Sequence, residues 1–282
     1  MVTVQAAGRP VAGGLGLLKA SGWYSRRMNL DDPRTFELFL EVYGTLPRAG
    51  PGSTADTLRA LSLIPTLTIR QVLDLGCGPG AQTLVLAEAL PEAEILAVDL
   101  VPRMVTEARR RCEDADLSDR VRVEVGDMLA PEVPSHSQDL IWCEGAIYCA
   151  GIENALRTWR PLLTTNGAVA FTEAIWLHSS PPESLLRWWR AQYPAITDEE
   201  GVRTAVTAAG FDTVGFFILP ASSWWTDYYE PMTGRIIEFT AAHPEDPVAA
   251  EIAASAETEI AMFREYSQHY SYCFFIVQPR SA

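Results

Sequence analysis

A short apolar stretch, Gln71-Val-Leu-Asp-Leu75, runs directly into Gly76-Cys-Gly78-Pro-Gly80 and then into a helix-forming segment, residues 81–90. Strand, glycine turn and helix in immediate succession constrain this chain more than any other feature. The glycines permit conformations and close approaches that a Cβ forbids. The helix that follows presents unpaired N–H groups and the positive end of its dipole. Pro91 stops that helix, and the rhythm repeats. Strands are expected over residues 94–99, 120–125, 139–143 and 168–172. Helices are expected between them, from Pro102 to about residue 112 and from 153 to 163, the latter bent or ended by Pro161. Such alternation predicts parallel βαβ units with right-handed crossovers, a doubly wound α/β sheet.

The flanks read differently. Residues 31–43 form an amphipathic pattern with Phe36, Phe39, Leu40 and Tyr43 on one side, Asp31 or Asp32 as cap and Pro33 in the first turn. Arg48-Ala-Gly-Pro-Gly-Ser53 is a tight irregular link before a further helix at 54–61. Beyond residue 176, helices are expected at 181–190 and 199–209, with strands at 211–219 and 270–277. The expected organisation is a loose tail (1–30), a helical cap (31–66), a core (67–219), a mostly helical insertion or lid (220–269) and a final core strand (270–282). The Gly- and Ala-rich first residues lack a basic start followed by a sustained apolar stretch, so no signal peptide is read.

Composition narrows the class. A chain of 282 residues with 48% hydrophobic content suits one large domain with an elaborated cap. No apolar run reaches the roughly 18 residues that span a bilayer. Lys plus Arg is 22 against 36 for Asp plus Glu, a formal net charge of −14. That charge repels polyphosphates and speaks against nucleic acid as a partner. Arg109-Arg-Arg111 lies beside Glu107, Glu113 and Asp114 and reads as a solvated helix face. The five Cys (77, 112, 143, 149 and 273) are odd in number and form no C-x-x-C, which points to a reducing, cytoplasmic setting. The four His show no metal-ligand spacing, and no metal is expected. A homodimer is compatible with this size and acidity.

Gly76, Gly78 and Ala81 satisfy the G-x-G-x-x-G/A pattern of dinucleotide sites. That match alone leaves an NAD-dependent oxidoreductase open. Asp74, two places before the first glycine, would oppose a pyrophosphate and suit a ligand carrying an ammonium group. Asp99, ending the second strand, can accept both ribose hydroxyls, whether of NAD or of S-adenosylmethionine. Asp127, in Gly126-Asp-Met128, can accept from an adenine amino group beside a soft apolar side chain.

In this order, Asp-Leu-Gly-Cys-Gly-Pro-Gly, Asp99 and Gly126-Asp127 resemble the class I S-adenosylmethionine-dependent methyltransferases, over residues 71–176. The resemblance implies a seven-stranded, mostly parallel Rossmann-like sheet whose last strand is antiparallel beside the fifth. It implies S-adenosylmethionine as cofactor. Asp74, Gly76, Gly78 and Gly80 would hold its methionine part, Asp99 the ribose, and Asp127 and Met128 the adenine, with Cys77, Thr83, Leu100 and Gly126 as further cofactor-binding residues. A narrower resemblance is to a bacterial subgroup acting on small molecules. It rests on Arg48 to Ser53, Trp142 to Tyr148, Thr172 to Trp176, and Phe217-Ile-Leu-Pro with the later Trp-Thr-Asp-Tyr. Asn166-Gly167 stands where the wider family often has Gly-Gly. Asn tolerates the left-handed turn expected there.

Methyl transfer asks an enzyme to align a nucleophile with a sulfonium-bound carbon and to exclude water. Glu144 and Glu173 end the fourth and fifth strands, where ligands of open α/β sheets bind. Glu144, with Tyr148 beside it, is the first candidate for base or anchor, and Glu173 the second. His178 reads as a surface residue. Trp176, Trp224, Trp225 and Tyr228 are candidates for receiving a planar or cationic small-molecule acceptor, against the alternative of a lid packed on the core. The segment 224–229 reads as a loop. Residues near Tyr43 and the Gly50-Pro-Gly52 turn are expected to complete the lid near the methionine end. A protein that binds S-adenosylmethionine without catalysis is the remaining alternative.

Overall fold

In the computed structural model, which describes residues 29–65 and 68–280, β1 (Gln71–Leu75) lies at the centre of a mixed sheet. It pairs in parallel with β2 (Glu94–Asp99) on one side and β4 (Gln138–Cys143) on the other. Layers cover both of its faces, which explains a run that is apolar apart from Asp74 and its half-buried first residue, Gln71. β3 (Val121–Val125) extends the sheet beyond β2. β5 (Leu163–Trp176) extends it beyond β4, and β8 (Tyr270–Pro279) runs antiparallel between β5 and β7 (Phe211–Ile218). The order is β3-β2-β1-β4-β5-β8-β7. The order reverses between β1 and β4, and the crevice at the carboxyl ends of these strands is where such sheets take ligands.

The helices are α1 (Pro33–Tyr43), α2 (Thr54–Ser62), α3 (Ala81–Ala89), α4 (Pro102–Asp114), α5 (Ile152–Trp159), α6 (Glu183–Gln192), α7 (Glu199–Ala208), α8 (Glu230–Ala242) and α9 (Pro247–Tyr266). Local chemistry sets where they begin. Asp32 caps α1 by accepting from Thr35 N at 2.8 Å, with Pro33 as its first residue. Ser53 caps α2 in the same way. Strand side chains alternate between two cores. Val72, Trp142, Ala170 and Phe274 face α1, α3, α4, α8 and α9, while Leu73, Ile141, Phe171 and Phe275 face α5 and α7.

Four features differ from the sequence reading. β5 runs for 14 residues rather than stopping at Thr172. Asn166 lies within it and takes no left-handed conformation; among the described residues only Asp116 and His136 have positive φ without being glycine. Gly167 is accommodated for another reason, since a Cβ there would stand 2.9 Å from the Gln138 carbonyl oxygen. An eighth strand, β6 (Thr197–Asp198), pairs with the end of β5 and is too short to leave a periodic signal. The segment 222–229 is helical, an α turn at Ser222–Trp224 continued by a π turn at Trp225–Tyr229, because its aromatic rings are packed inward. The tail expected over residues 1–28 lies outside the described residues.

Candidate active site

The turn after β1 carries left-handed glycines, with φ of 72° at Gly76, 53° at Gly78 and 85° at Gly80. At these angles an L side chain would strain the backbone. The turn is fastened to β2: Gly76 N and Cys77 N donate to the Val98 carbonyl at 2.8 and 3.1 Å, and Gly78 N donates to Asp99 Oδ2 at 2.8 Å. The other oxygen of Asp99 accepts from Val101 N at 2.8 Å. Burial pushes this carboxyl above its ordinary range, and the N–H groups of Val101 and Gly78 oppose the rise. Gly126 N bonds the Asp99 carbonyl at 3.0 Å, and Asp127 Oδ1 accepts from Leu129 N at 2.8 Å. The Met128 carbonyl is held by Trp159 Nε1 at 2.8 Å.

These groups surround a cavity of about 240 Å³ at the carboxyl ends of β1, β2, β3 and β4. Gly76, Cys77, Gly78, Asp99, Leu100, Gly126, Asp127, Met128, Glu144 and Tyr148 all line it. The cap closes it with Phe36, Phe39, Leu40 and Tyr43 of α1, and with Ala49, Gly50 and Pro51 of the link to α2.

Glu144 is held on every side. Arg48 Nη1 donates to its Oε1 at 2.7 Å, while Thr57 Oγ1 and Trp142 Nε1 each donate to Oε2 at 3.1 Å. Both side chains of the ion pair are almost fully buried, at 8% exposure for Arg48 and 4% for Glu144. Burial raises the carboxyl's pKa, and the neighbouring guanidinium pulls it back. A Cβ on Gly52 would lie 2.6 Å from Glu144 Oε1, so only glycine lets the link pass over this pair. Arg48 and Thr57 were not singled out from the sequence, because they stand 96 and 87 positions away from Glu144. Gln82 was missed too. It lines the cavity and donates to the Cys77 carbonyl at 3.1 Å and to Asp74 Oδ1 at 3.4 Å. Its one legible signal is a polar residue in the first turn after the glycines.

Other expected site residues stand apart from the cavity. Asp74 is fully buried behind the turn, accepts from Thr83 Oγ1 at 2.6 Å, and has its pKa pushed up to about 7 by burial. Neither Asp74, Thr83 nor Gly80 lines the cavity, so Asp74 reaches it only through Gln82. Glu173 is buried beneath the wall, where it accepts from Ala174 N at 2.9 Å and Tyr193 Oη at 3.4 Å. Burial pushes its pKa up to about 8. Tyr193 packs edge-on against Tyr148, with ring centroids 5.8 Å apart.

The expected acceptor aromatics are elsewhere, and the reason is packing. Trp224 stacks on Phe263 at 4.3 Å and donates to Ser271 Oγ at 3.2 Å. Tyr228 Oη donates to the buried Glu259 at 3.2 Å. Trp225 packs on Tyr229 at 5.4 Å, under the Arg264 guanidinium. Trp176 packs on Trp189 at 5.9 Å and, with His178, borders a separate shallow depression. The lid alternative therefore describes these rings better than an acceptor site does.

Comparison with known proteins adds to this geometry. A family model for a methyltransferase domain matches residues 72–167. The trans-aconitate 2-methyltransferase of Escherichia coli (strain 55989 / EAEC) is 28% identical over 213 residues, covering 70% of this chain and 76% of that protein. The trans-aconitate 2-methyltransferase of Streptomyces avermitilis is 27% identical over 222 residues, covering 75% and 81%. That of Paracidovorax citrulli is 27% identical over 61% of this chain, and the match spans 66% of its own length. Among solved structures, an S-adenosylmethionine-dependent methyltransferase from Geobacter sulfurreducens in complex with S-adenosylhomocysteine superposes with a TM-score of 0.75. It shares 20% identity, with 89% of this chain and all of that one covered. A counterpart from Thiobacillus denitrificans, also with S-adenosylhomocysteine, gives the same TM-score over 88% and 99%. The matched domain begins in β1 and takes in the glycine turn, and the sheet order departs from the usual 3-2-1-4-5-6 of dinucleotide folds by its antiparallel β8. Residues 72–167 thus resemble a methyltransferase domain, and the fold around them is that of the class I S-adenosylmethionine-dependent methyltransferases.

Proposed function

We propose that this protein transfers the methyl group of S-adenosylmethionine to a small-molecule acceptor at oxygen, nitrogen or carbon. The observation that carries the proposal is the single cavity that joins the ends of β1 to β4 to the cap. The donor set fits the cofactor. Each oxygen of Asp99 accepts one backbone N–H and keeps a lone pair for a ribose hydroxyl. Asp127 uses Oδ1 to turn its loop, and its second oxygen can accept from the adenine amino group, with Met128 beside it. The methionine part carries an ammonium and a carboxylate. The Arg48–Glu144 pair presents both opposite charges at the cavity wall, and the glycine turn leaves room for close approach. In this reading Glu144 anchors and orients, since three donors already hold its two oxygens. Tyr148 shapes the acceptor side.

Bound S-adenosylmethionine supplies a sulfonium methyl: the acceptor's electron pair forms the new bond as the C–S pair returns to sulfur, leaving S-adenosylhomocysteine. The chain's part is alignment and exclusion of water by α1 and the 48–53 link. An acceptor that bears a proton releases it to solvent through the mouth of the cavity. No polyphosphate partner suits a net charge of −14. No helix among the described residues is long and apolar enough to cross a membrane. The cysteine usage favours the cytoplasm.

Calorimetric titration tests the assignment. S-adenosylhomocysteine is expected to bind at about micromolar Kd, roughly −8 kcal/mol. NADH is expected not to bind. Asp99→Ala should weaken the adenosyl ligand by about 10- to 100-fold, the loss of hydrogen bonds to a charged group, with an unchanged far-UV spectrum. Unchanged affinity removes Asp99 from the ribose role, and binding of NADH alone overturns the activity.

A further inference from the structure

The charged groups of the cavity are few, and the cofactor reading engages each of them. Four charged side chains line it: Arg48, Asp99, Asp127 and Glu144. Among the described residues Arg48 is the only cation in that lining, and Glu144 already neutralises it at 2.7 Å while Thr57 takes another of its N–H groups. Asp99 and Asp127 belong to the ribose and adenine in the reading above. Apart from Gln82 and the hydroxyls of Tyr43 and Tyr148, what remains of the wall is apolar and aromatic. Phe36, Phe39 and Leu40 project from α1, and Phe39 stacks on Tyr43 with centroids 4.3 Å apart. Met104 comes from α4 and Tyr148 from the turn after β4.

A polycarboxylate acceptor needs cations or several N–H donors where its charges come to rest. A buried anion without them bears a large desolvation penalty. Among the described residues of the wall the one cationic side chain is a guanidinium already paired, and acidic side chains outnumber it. Drug-sized ligands bind in pockets of this other kind, mostly apolar and aromatic with a small number of polar groups.

Resting on the methyltransferase reading, we infer that the acceptor is an uncharged, largely apolar molecule with a planar ring, received by the aromatic face of α1, and not a polycarboxylate. The carboxylate chemistry implied by the names of the relatives is thereby not shared.

The test uses the full chain saturated with S-adenosylhomocysteine and two probes, 1-naphthol and the tricarboxylate trans-aconitate, titrated by calorimetry. Naphthol should bind with a Kd below about 1 mM (better than roughly −4 kcal/mol), and trans-aconitate should show no heat of binding at tenfold higher concentration. Phe39→Ala should weaken naphthol at least tenfold more than it weakens S-adenosylhomocysteine. Phe36→Ala, also half-buried, serves as the second variant should Phe39→Ala lose its native spectrum. Trans-aconitate binding as tightly as naphthol overturns the inference. So does naphthol failing to bind, or binding with the same affinity in both variants. S-adenosylhomocysteine failing to bind at the outset strikes the cofactor reading itself, and the inference falls with it.

Discussion

Glu173 shows how a single residue can oppose the fold that contains it. It is 3% exposed, and its two hydrogen bonds, from Ala174 N and Tyr193 Oη, do not offset the loss of water. The folded-state pKa therefore rises to about 8, from an unfolded value near 4.5. Between those values the native state holds a proton that the unfolded chain has lost. Stability must then fall as pH rises through this window and level off above it. Asp74, pushed up to about 7, acts with the same sign. The melting temperature of the wild type is expected to drop between pH 5 and pH 9. Glu173→Gln should flatten that drop by several degrees, at about 2–4 °C per kcal/mol for a chain of this size, and leave a residual slope from Asp74. Scanning calorimetry at four pH values reads both slopes, and parallel curves for the two proteins would remove Glu173 as the source. At this scale the sequence was legible where chemistry is local. Gly76, Gly78, Asp99 and Asp127 stand at or just after strand ends, and these four line the cavity, although Gly80 of the same turn does not. It was illegible where the partner is distant, as with Arg48 for Glu144. It also misled for Trp224 and Tyr228, because nothing in an aromatic run tells a ring packed on Phe263 or bonded to Glu259 from one facing a ligand.

Elements meet at the link between α1 and α2. Ser53 caps α2 and donates to Asp56, and Ser223, in the helical turn before α8, donates to the same carboxylate oxygen. The Gly52 N–H returns a bond to the Ser223 carbonyl at 2.9 Å. The link that carries Arg48 and the Gly-Pro-Gly turn is thus tied to the lid segment from both chains of atoms. Asp56 is 5% exposed and Ser223 3%, so the contact is hardly screened by solvent. Ser223→Ala is expected to lose about 1.5–3 kcal/mol, the range for a hydrogen bond to a charged group, measured as a shift of the urea midpoint at constant slope. Weaker binding of S-adenosylhomocysteine should accompany it, because the tie holds Arg48 in place; full affinity at reduced stability would separate lid from site. Boundaries of α1, α2 and α4 were readable from Asp32, Pro33, Ser53 and Pro102, since caps act over a few residues. The π turn at 225–229 and the two residues of β6 exist only through tertiary packing and sheet pairing, which no local pattern encodes.

Across the whole molecule, the division into cap, core and lid is a division of sequence more than of cooperativity. Leu38 and Val42 of α1, Trp142 and Phe274 of the sheet, Ile236 of α8 and Ile252 of α9 belong to one continuous buried cluster. α1 packs directly on α8 and α9, although nearly 190 residues separate α1 from α8 in the chain. Removing the cap or lid would uncover the apolar side of the sheet, so neither can unfold without exposing the core to water. We expect a single urea transition for residues 31–280, coincident by tryptophan fluorescence and far-UV circular dichroism. The tryptophans suit the test: Trp142 lies in the core sheet, Trp159 on the opposite face, and Trp224 in the lid segment itself, each fully buried. Two separated transitions, with fluorescence lost before helicity, would show cap and lid folding as a unit of their own. Saturating S-adenosylhomocysteine, at a hundred times its Kd, should raise the single transition by about 2.7 kcal/mol, because the cavity it fills is walled by α1 and the strand ends together.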